Sequence, residues 1–230
     1  MNICGLQKLA MVDYPGKLAA TVFTGGCNLR CPFCHNPLLV TRTAESPPLE
    51  QADILAFLNS RRGLLDGVVL SGGEPLLQDG VPDFLRAVRD LGFSVKLDTN
   101  GTLPERLAPL LEAGLVDYVA MDIKNAPARY PETVGIPGFD TGPVHQSAAL
   151  LMGGSVPYEF RTTVTRELHT QADLEAIGRW LEGAPRYFLQ QFVDTGDLVG
   201  GGLTPWPPEE LQRLADCVRP FFGSVEVRGI

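Results

Sequence analysis

Three cysteines, Cys27, Cys31 and Cys34, fall within the stretch "GGCNLRCPFCHNP", Gly25 to Pro37. Thiolates spaced C-x3-C-x2-C suit one metal centre. Structural zinc sites usually draw four ligands, often as two separated C-x2-C pairs, and no second pair exists in this chain. His35 is a candidate fourth ligand, but it directly follows Cys34, where the backbone rarely lets both side chains reach one metal. Thiolates also hold iron–sulfur clusters. A four-iron cluster on three cysteines leaves one iron without a protein ligand, open to a substrate or cofactor. A structural zinc knuckle and a pure electron-transfer cluster are the alternatives that the spacing leaves open. Cys4 and Cys217 stand alone and read as small buried hydrophobes.

Other chemistry-bearing residues come in short clusters: "SGGEP" (Ser71 to Pro75), "DTNG" (Asp98 to Gly101), "DIK" (Asp122 to Lys124), the pair Arg161 and Thr163, and the pair Gln190 and Gln191. Taken singly, "GGEP" and "NG" read as turns, and "DIK" as a strand end with an ordinary ion pair. Their places along the chain say more.

Strand candidates precede each cluster. They are Leu18–Thr24, Gly67–Ser71, Phe93–Asp98, Asp117–Ile123, Tyr158–Thr165 and Arg186–Val193, with a late one at Ser224–Arg228. Helical patterns alternate with them, at about Glu50–Arg62, Pro104–Ala113, Val144–Met152, Ala172–Leu181 and Pro208–Val218. The clearest carries Val81, Phe84, Leu85, Val88 and Leu91 on one face. Strands alternating with helices predict a parallel sheet with right-handed crossovers. Six βα units suit an α/β fold of one domain, an incomplete (β/α)6 TIM-like barrel, better than a closed eight-fold one. A doubly wound open sheet is the competing arrangement. In either, ligands gather at the C-terminal ends of the strands, where the polar clusters lie. The loop 193–208, rich in Gly and Pro, is expected to act as a mobile lid.

Composition narrows the function. A net charge of −8 and a pI near 4.9 argue against a broad polyphosphate-binding face, so nucleic acid is not expected as a partner. The start of the chain lacks a long apolar stretch, and no apolar run is long enough to span a bilayer, so a cytoplasmic protein without a membrane partner is expected. In that reducing compartment clustered cysteines are metal ligands rather than disulfides.

"CNLRCPFCHN" resembles the signature of the radical S-adenosylmethionine (SAM) enzymes, and the downstream clusters match in order and spacing over nearly the whole chain, so residues 1–230 are expected to form one core domain with its cluster-binding loop at 25–37. "DYPGKLAATVFTGGCNLRCPFCHNP" is similar to the activating enzymes of glycyl radical enzymes, most of all to the anaerobic ribonucleoside-triphosphate reductase activating proteins. The resemblance implies that Cys27, Cys31 and Cys34 ligate three irons of a [4Fe-4S] cluster whose fourth iron is chelated by SAM. It implies that Gly72 and Gly73 let backbone approach the methionine part, and that Glu74 accepts a hydrogen bond from the ammonium. It places Asp98 and Thr99 at a monovalent cation near the cofactor's carboxylate, Asp122 at the ribose and Lys124 at the carboxylate. Asn36 is implied near the adenosyl group and Phe33 against the adenine, with Arg161 among the contacts. The similar pyruvate formate-lyase activating enzymes carry a His after the sixth strand. This chain reads "LQQFVDTG" there, and Gln191 is the candidate substitute. The chain also lacks the extra cysteine-rich insert of some activases.

The implied activity is reductive cleavage of SAM, with electrons from flavodoxin or ferredoxin, and abstraction of a glycine hydrogen in a glycyl radical partner by the 5′-deoxyadenosyl radical. The alternative is a small-molecule enzyme of the same superfamily, such as a 7-carboxy-7-deazaguanine synthase. Its motif typically ends in Cys-Asp-Thr, whereas this chain has Cys34, His35 and Asn36.

Overall fold

The computed structural model describes residues 1–45 and 47–229; Ser46, within the loop-like stretch 41–50, and Ile230 lie outside the described residues. One sheet of eight strands organises the chain: β1 (Ile3–Ala10), β2 (Ala19–Thr24), β3 (Gly67–Gly72), β4 (Ser94–Thr99), β5 (Tyr118–Asp122), β6 (Tyr158–Val164), β7 (Tyr187–Gln191) and β8 (Val225–Arg228). The helices are α1 (Pro37–Val40), α2 (Gln51–Asn59), α3 (Val81–Asp90), α4 (Pro104–Glu112), α5 (Tyr130–Thr133), α6 (Gly142–Gly153), α7 (Gln171–Trp180) and α8 (Pro208–Val218).

Strand order follows chain order, β1 to β8, without reversal. A doubly wound sheet needs a switch point where the order reverses, so the winding is that of an incomplete barrel. The six expected strands are β2 to β7, all parallel. Two more strands extend them: β8, the late candidate, parallel to β7, and β1, antiparallel to β2. The sequence reading missed β1. Its pairing with β2 shifts register twice, between Ile3 and Gly5 and between Gln7 and Ala10. Such bulges erase the two-residue alternation by which a strand is recognised. β1 and β8 are the two edges, so the barrel stays open between them.

The central strands are apolar because both faces are covered. β2 carries "AATVFT" and β5 "YVAMD", each buried almost throughout. Helices cover the outer face. Val81, Phe84, Leu85 and Val88 of α3 are buried at helical spacing, each contributing roughly 1.5–3 kcal/mol by leaving water. Proline in the first turn starts α3, α4, α6 and α8, and a Thr170–Asp173 capping box starts α7. The α2 helix stops at Asn59, short of the expected Arg62, before Gly63 takes a φ of 77°. Inside the barrel a buried group of Tyr14, Ala19, Val69 and Tyr118 fills the floor. Tyr14, from the "DYPG" segment, donates its hydroxyl to the Val95 carbonyl at 3.4 Å. Above that floor the barrel interior is polar.

Candidate active site

The loops at the C-terminal ends of the strands enclose a cavity of about 530 Å³. Its wall includes Cys27, Cys31, Phe33, Cys34 and Asn36 from the β2–α1 loop, Gly72 at the end of β3 and Gly73 after it. It also includes Asp98 and Thr99 of β4, Asp122 and Lys124 of β5 and its exit, Arg161 of β6 and Gln191 of β7. The topology thus brings together every candidate cluster- or cofactor-binding residue of the sequence reading except Glu74. Cys4 and Cys217, expected to be buried, are both partly exposed, and they stand outside this wall.

The cysteine loop is held by backbone. Gly73 donates to the Thr24 carbonyl at 2.9 Å, Glu74 to Gly26 at 2.8 Å, and Gly26 to Leu39 at 2.7 Å. A Cβ on Gly73 would stand 2.1 Å from the Gly26 oxygen, and one on Gly72, whose φ is 131°, would stand 2.3 Å from Thr24 backbone. The two glycines are therefore required by the close approach of the end of β2 and the loop that follows it, and the amide of Gly73 is directed at Thr24 rather than into the cavity. A polar belt completes the hold: Asn100 donates to Asn28 Oδ1 at 2.9 Å, and Asn28 donates to Thr102 Oγ1 at 2.7 Å. Asn100 also reaches Cys27 Sγ at 3.9 Å, and the Leu29 amide reaches it at 3.4 Å. Sequence reasoning took Asn100 for a turn residue and passed over Asn28, although it lies between the first two cysteines.

The donor set fits a cluster. Burial pushes the Cys31 thiol up to about 12, and raises Cys27 as well, against the pull of the Leu29 amide. Buried thiols of this kind give up their protons to a metal that replaces them. Among the described residues no three His, Cys, Asp or Glu side chains converge as they would around a single ion, although the three thiols share one cavity wall. Three thiols on one cavity wall are the donor set that an iron–sulfur cluster takes.

Glu74 departs from expectation. It is fully buried behind the wall. One carboxylate oxygen accepts from the Leu76 amide at 3.1 Å and from Thr99 Oγ1 at 2.8 Å, the other from the Asn100 amide at 2.7 Å. Its partners are the turn after β3 and the turn after β4, and they take the place of the ammonium expected there. Burial, opposed by these donors, raises its pKa to about 7.

A row of alternating charges crosses the barrel interior. Lys96 pairs with Asp98 along β4. Asp98 also meets Arg161 at 3.4 Å and accepts from Ser71 Oγ at 3.1 Å. Arg161 Nε donates to Asp122 Oδ1 at 2.8 Å, and Asp122 accepts from Lys124 at 3.0 Å. Register explains the row. Asp98 is opposite Ala120, two residues before Asp122, which is opposite Arg161, and residues two apart on a strand share a face. Burial alone would push Asp122 up, but Arg161 and Lys124 outweigh it and hold the carboxyl well below the usual range. Asp98 is lowered against its own burial by Arg161 and Lys96. Lys124 is raised although burial opposes it, because Asp122 stands beside it.

The same register separates the two side chains of the expected cation site. Asp98 and Thr99 are consecutive on a strand, so their side chains take opposite faces. Thr99 turns its hydroxyl to Glu74, while Asp98 is already matched by two cationic side chains. The two side chains therefore offer no shared site to a metal cation.

Around this row, Phe33 is buried with Lys124 Nζ 5.9 Å from its ring centre and the His169 ring 6.4 Å away. His169, unmarked by any motif, joins Lys124 O through Nε2 at 2.8 Å and the Thr165 amide through Nδ1 at 3.2 Å. Tyr130 accepts from the Lys124 amide at 3.1 Å. Gln191 donates to the Trp206 carbonyl, and its own Oε1 is buried without a partner among the described residues. The loop 193–208 lies against the cysteine loop: Val199 donates to Cys34 O at 3.0 Å and Gly200 to Pro32 O at 2.9 Å, with an Arg42–Asp197 ion pair at the rim.

Comparison with known proteins agrees with this geometry. A family model described as the radical SAM superfamily matches residues 21–142. A Methanocaldococcus jannaschii protein named for a proposed role as a glycyl-radical enzyme activating enzyme is 34% identical over 236 aligned positions, covering 99% of this chain and 96% of its own. A 7-carboxy-7-deazaguanine synthase of Methanopyrus kandleri is 34% identical, but over 48% of this chain and 51% of its own. The crystal structure of Streptococcus suis SuiB bound to precursor peptide SuiA shares the fold, with a TM-score of 0.69 at 14% identity over 91% of this chain and 48% of that one.

Proposed function

The chain belongs to the radical SAM superfamily, and from that premise we propose that it activates a glycyl radical enzyme, its partner being of the anaerobic ribonucleoside-triphosphate reductase type. It is an enzyme, and its cofactors are a [4Fe-4S] cluster and SAM. The observation that carries the activase reading is the end-to-end correspondence with the M. jannaschii relative. The deazaguanine synthase match stops at half of either chain.

When bound, the cluster and SAM supply a one-electron cleavage that ends in abstraction of a hydrogen atom. The protein's own residues do the rest. Cys27, Cys31 and Cys34 would hold three irons. The row of five charges carries one net positive charge, three cations against two carboxylates, which suits the cofactor's carboxylate at the Lys124 end. Asp122 would take the ribose, Phe33 would pack against the adenine, Asn36 would lie near the adenosyl group, and Gln191 offers an acceptor. The loop 193–208 would keep water from the reacting atoms, and the open edge between β1 and β8 gives a peptide loop its entrance. Flavodoxin or ferredoxin would deliver the electron. No helix among the described residues is long and apolar enough to cross a membrane.

The test is anaerobic reconstitution with iron and sulfide, followed by reductant, SAM and a glycyl radical enzyme encoded in the same genome. Formation of 5′-deoxyadenosine with a glycyl signal in electron paramagnetic resonance is expected. Cleavage with no glycyl signal, coupled instead to a deazaguanine precursor, would favour the small-molecule reading. No 5′-deoxyadenosine under any condition would overturn both.

A further inference from the structure

Lys96 belongs to none of the sequence motifs, yet it is among the most deeply buried charged residues of the chain, 1% exposed. It projects into the barrel two residues before Asp98, on the same face, and its ammonium meets Asp98 from the floor side. Arg161 meets the same carboxylate from β6. Between them they supply positive charge at the place where a metal cation is implied, and they do so on two rigid strands. A lysine ammonium and a monovalent metal ion carry the same charge, but the lysine is tethered and needs no supply from solution.

We propose that Lys96 is the resident cation of this pocket, replacing a monovalent metal ion at Asp98, so that SAM binding by this chain does not depend on sodium or potassium. Lys96 acts as a positioning residue: it fixes the charge and orientation of Asp98, which fixes Arg161, which with Asp122 and Lys124 forms the cavity wall. The inference rests on membership of the radical SAM superfamily and is indifferent to which substrate the enzyme serves.

The test measures SAM affinity of the anaerobically reconstituted holoenzyme by calorimetry, at constant ionic strength, in sodium, potassium and tetramethylammonium chloride. The wild-type dissociation constant should agree within about twofold across the three salts. Lys96→Met should bind about tenfold more weakly in tetramethylammonium and recover about fivefold in sodium or potassium, as a small cation enters the vacated volume. Lys96→Arg should remain indifferent to salt. Melting of the metal-free protein gives a readout apart from the cofactors: the wild type should melt alike in all three salts. About tenfold loss of wild-type affinity in tetramethylammonium would overturn the proposal, as would a Lys96→Met that is equally weakened in every salt, the mark of a purely structural ion pair. If Lys96→Met does not fold, the wild-type and Lys96→Arg series still decide. Absence of SAM binding in every salt would instead remove the superfamily-based reading of the site.

Discussion

The cysteine loop and the charge row face each other across one cavity and are built on opposite plans. The loop, residues 25–37, is positioned by backbone: glycines allow close contact, Glu74 of the next loop donates its amide to the Gly26 carbonyl, Gly26 donates to Leu39, and Cys27 Sγ has only long contacts from the Leu29 amide and Asn100. The row from Lys96 to Lys124 is positioned by strand register, and nearly every oxygen and nitrogen in it is taken by its neighbour. A loop that must receive a cluster leaves its ligands free. A wall that must orient a small charged molecule fixes its charges in advance, because preorganised groups need no rearrangement on binding. The two regions should therefore fail in different ways.

The largest failure is expected on the loop. Cys31→Ala removes the most buried of the three thiols and leaves two. The iron and sulfide content after reconstitution should fall far below four per chain and the visible absorbance of the cluster should be lost, while circular dichroism of the protein stays close to wild type. A full cluster with undiminished SAM cleavage in this variant would break the assignment of the loop.

The row should fail through stability as well as binding. Arg161→Met leaves Asp98 and Asp122 without their shared partner, and removing one member of a buried ion pair costs about 3–5 kcal/mol. SAM affinity should fall about a hundredfold or more if two such carboxylates are left to repel the cofactor's own. The sign with pH follows from the depressed carboxylates. Stability from a lowered folded-state pKa is present above the unfolded value, 3.8 for Asp, and is lost as pH falls through the folded one. Denaturation by urea should thus show the variant's deficit at neutral pH and a smaller deficit below about pH 4. An equal deficit at both would mean that Arg161 acts through packing alone.

This contrast also explains what could be read in the sequence. The loop was legible because a metal's ligands are close in sequence, and Cys27, Cys31 and Cys34 declare themselves by spacing. So was the barrel, because apolar strands and the periodic face of α3 repeat at fixed intervals. The row was only half legible. Asp98, Asp122 and Arg161 could be listed, but that Arg161 bridges two carboxylates depends on the pairings Asp98↔Ala120 and Asp122↔Arg161, which no local pattern records. Lys96 escaped notice because a lysine inside an apolar strand looks like its solvent face. Glu74 is placed at the cavity by the resemblance of its motif, and only the third dimension shows it turned towards Thr99 and Asn100. The bulged β1 hid its alternation, and His169 and Tyr130 reach Lys124 from segments with no motif at all.

Glu74 joins the two regions, and its effect should be the smallest and the most informative about their coupling. Its amide holds Gly26 of the cysteine loop, and its carboxylate holds Thr99 and Asn100 beside Asp98. Its pKa is raised from 4.5 to about 7, so between these values the native state carries more proton than the unfolded chain. The stability this confers is complete below about pH 4.5 and is lost as pH rises through about 7. Each pKa unit corresponds to about 1.4 kcal/mol, so the displacement is worth at most about 3.5 kcal/mol. Buried His169, with its pKa lowered by desolvation, contributes in the opposite sense, gaining stability as pH rises through the ordinary histidine range. The wild-type curve alone therefore cannot isolate Glu74. In Glu74→Gln the histidine contribution is retained and the carboxyl one removed. The stability of wild type minus that of the variant, from urea midpoints at successive pH values, should shrink from pH 5 to pH 8 by about 1–3 kcal/mol. A difference constant within about 0.5 kcal/mol over that range would mean that the three donors keep Glu74 ionised throughout, and that the two regions are joined by a fixed charge rather than by a proton.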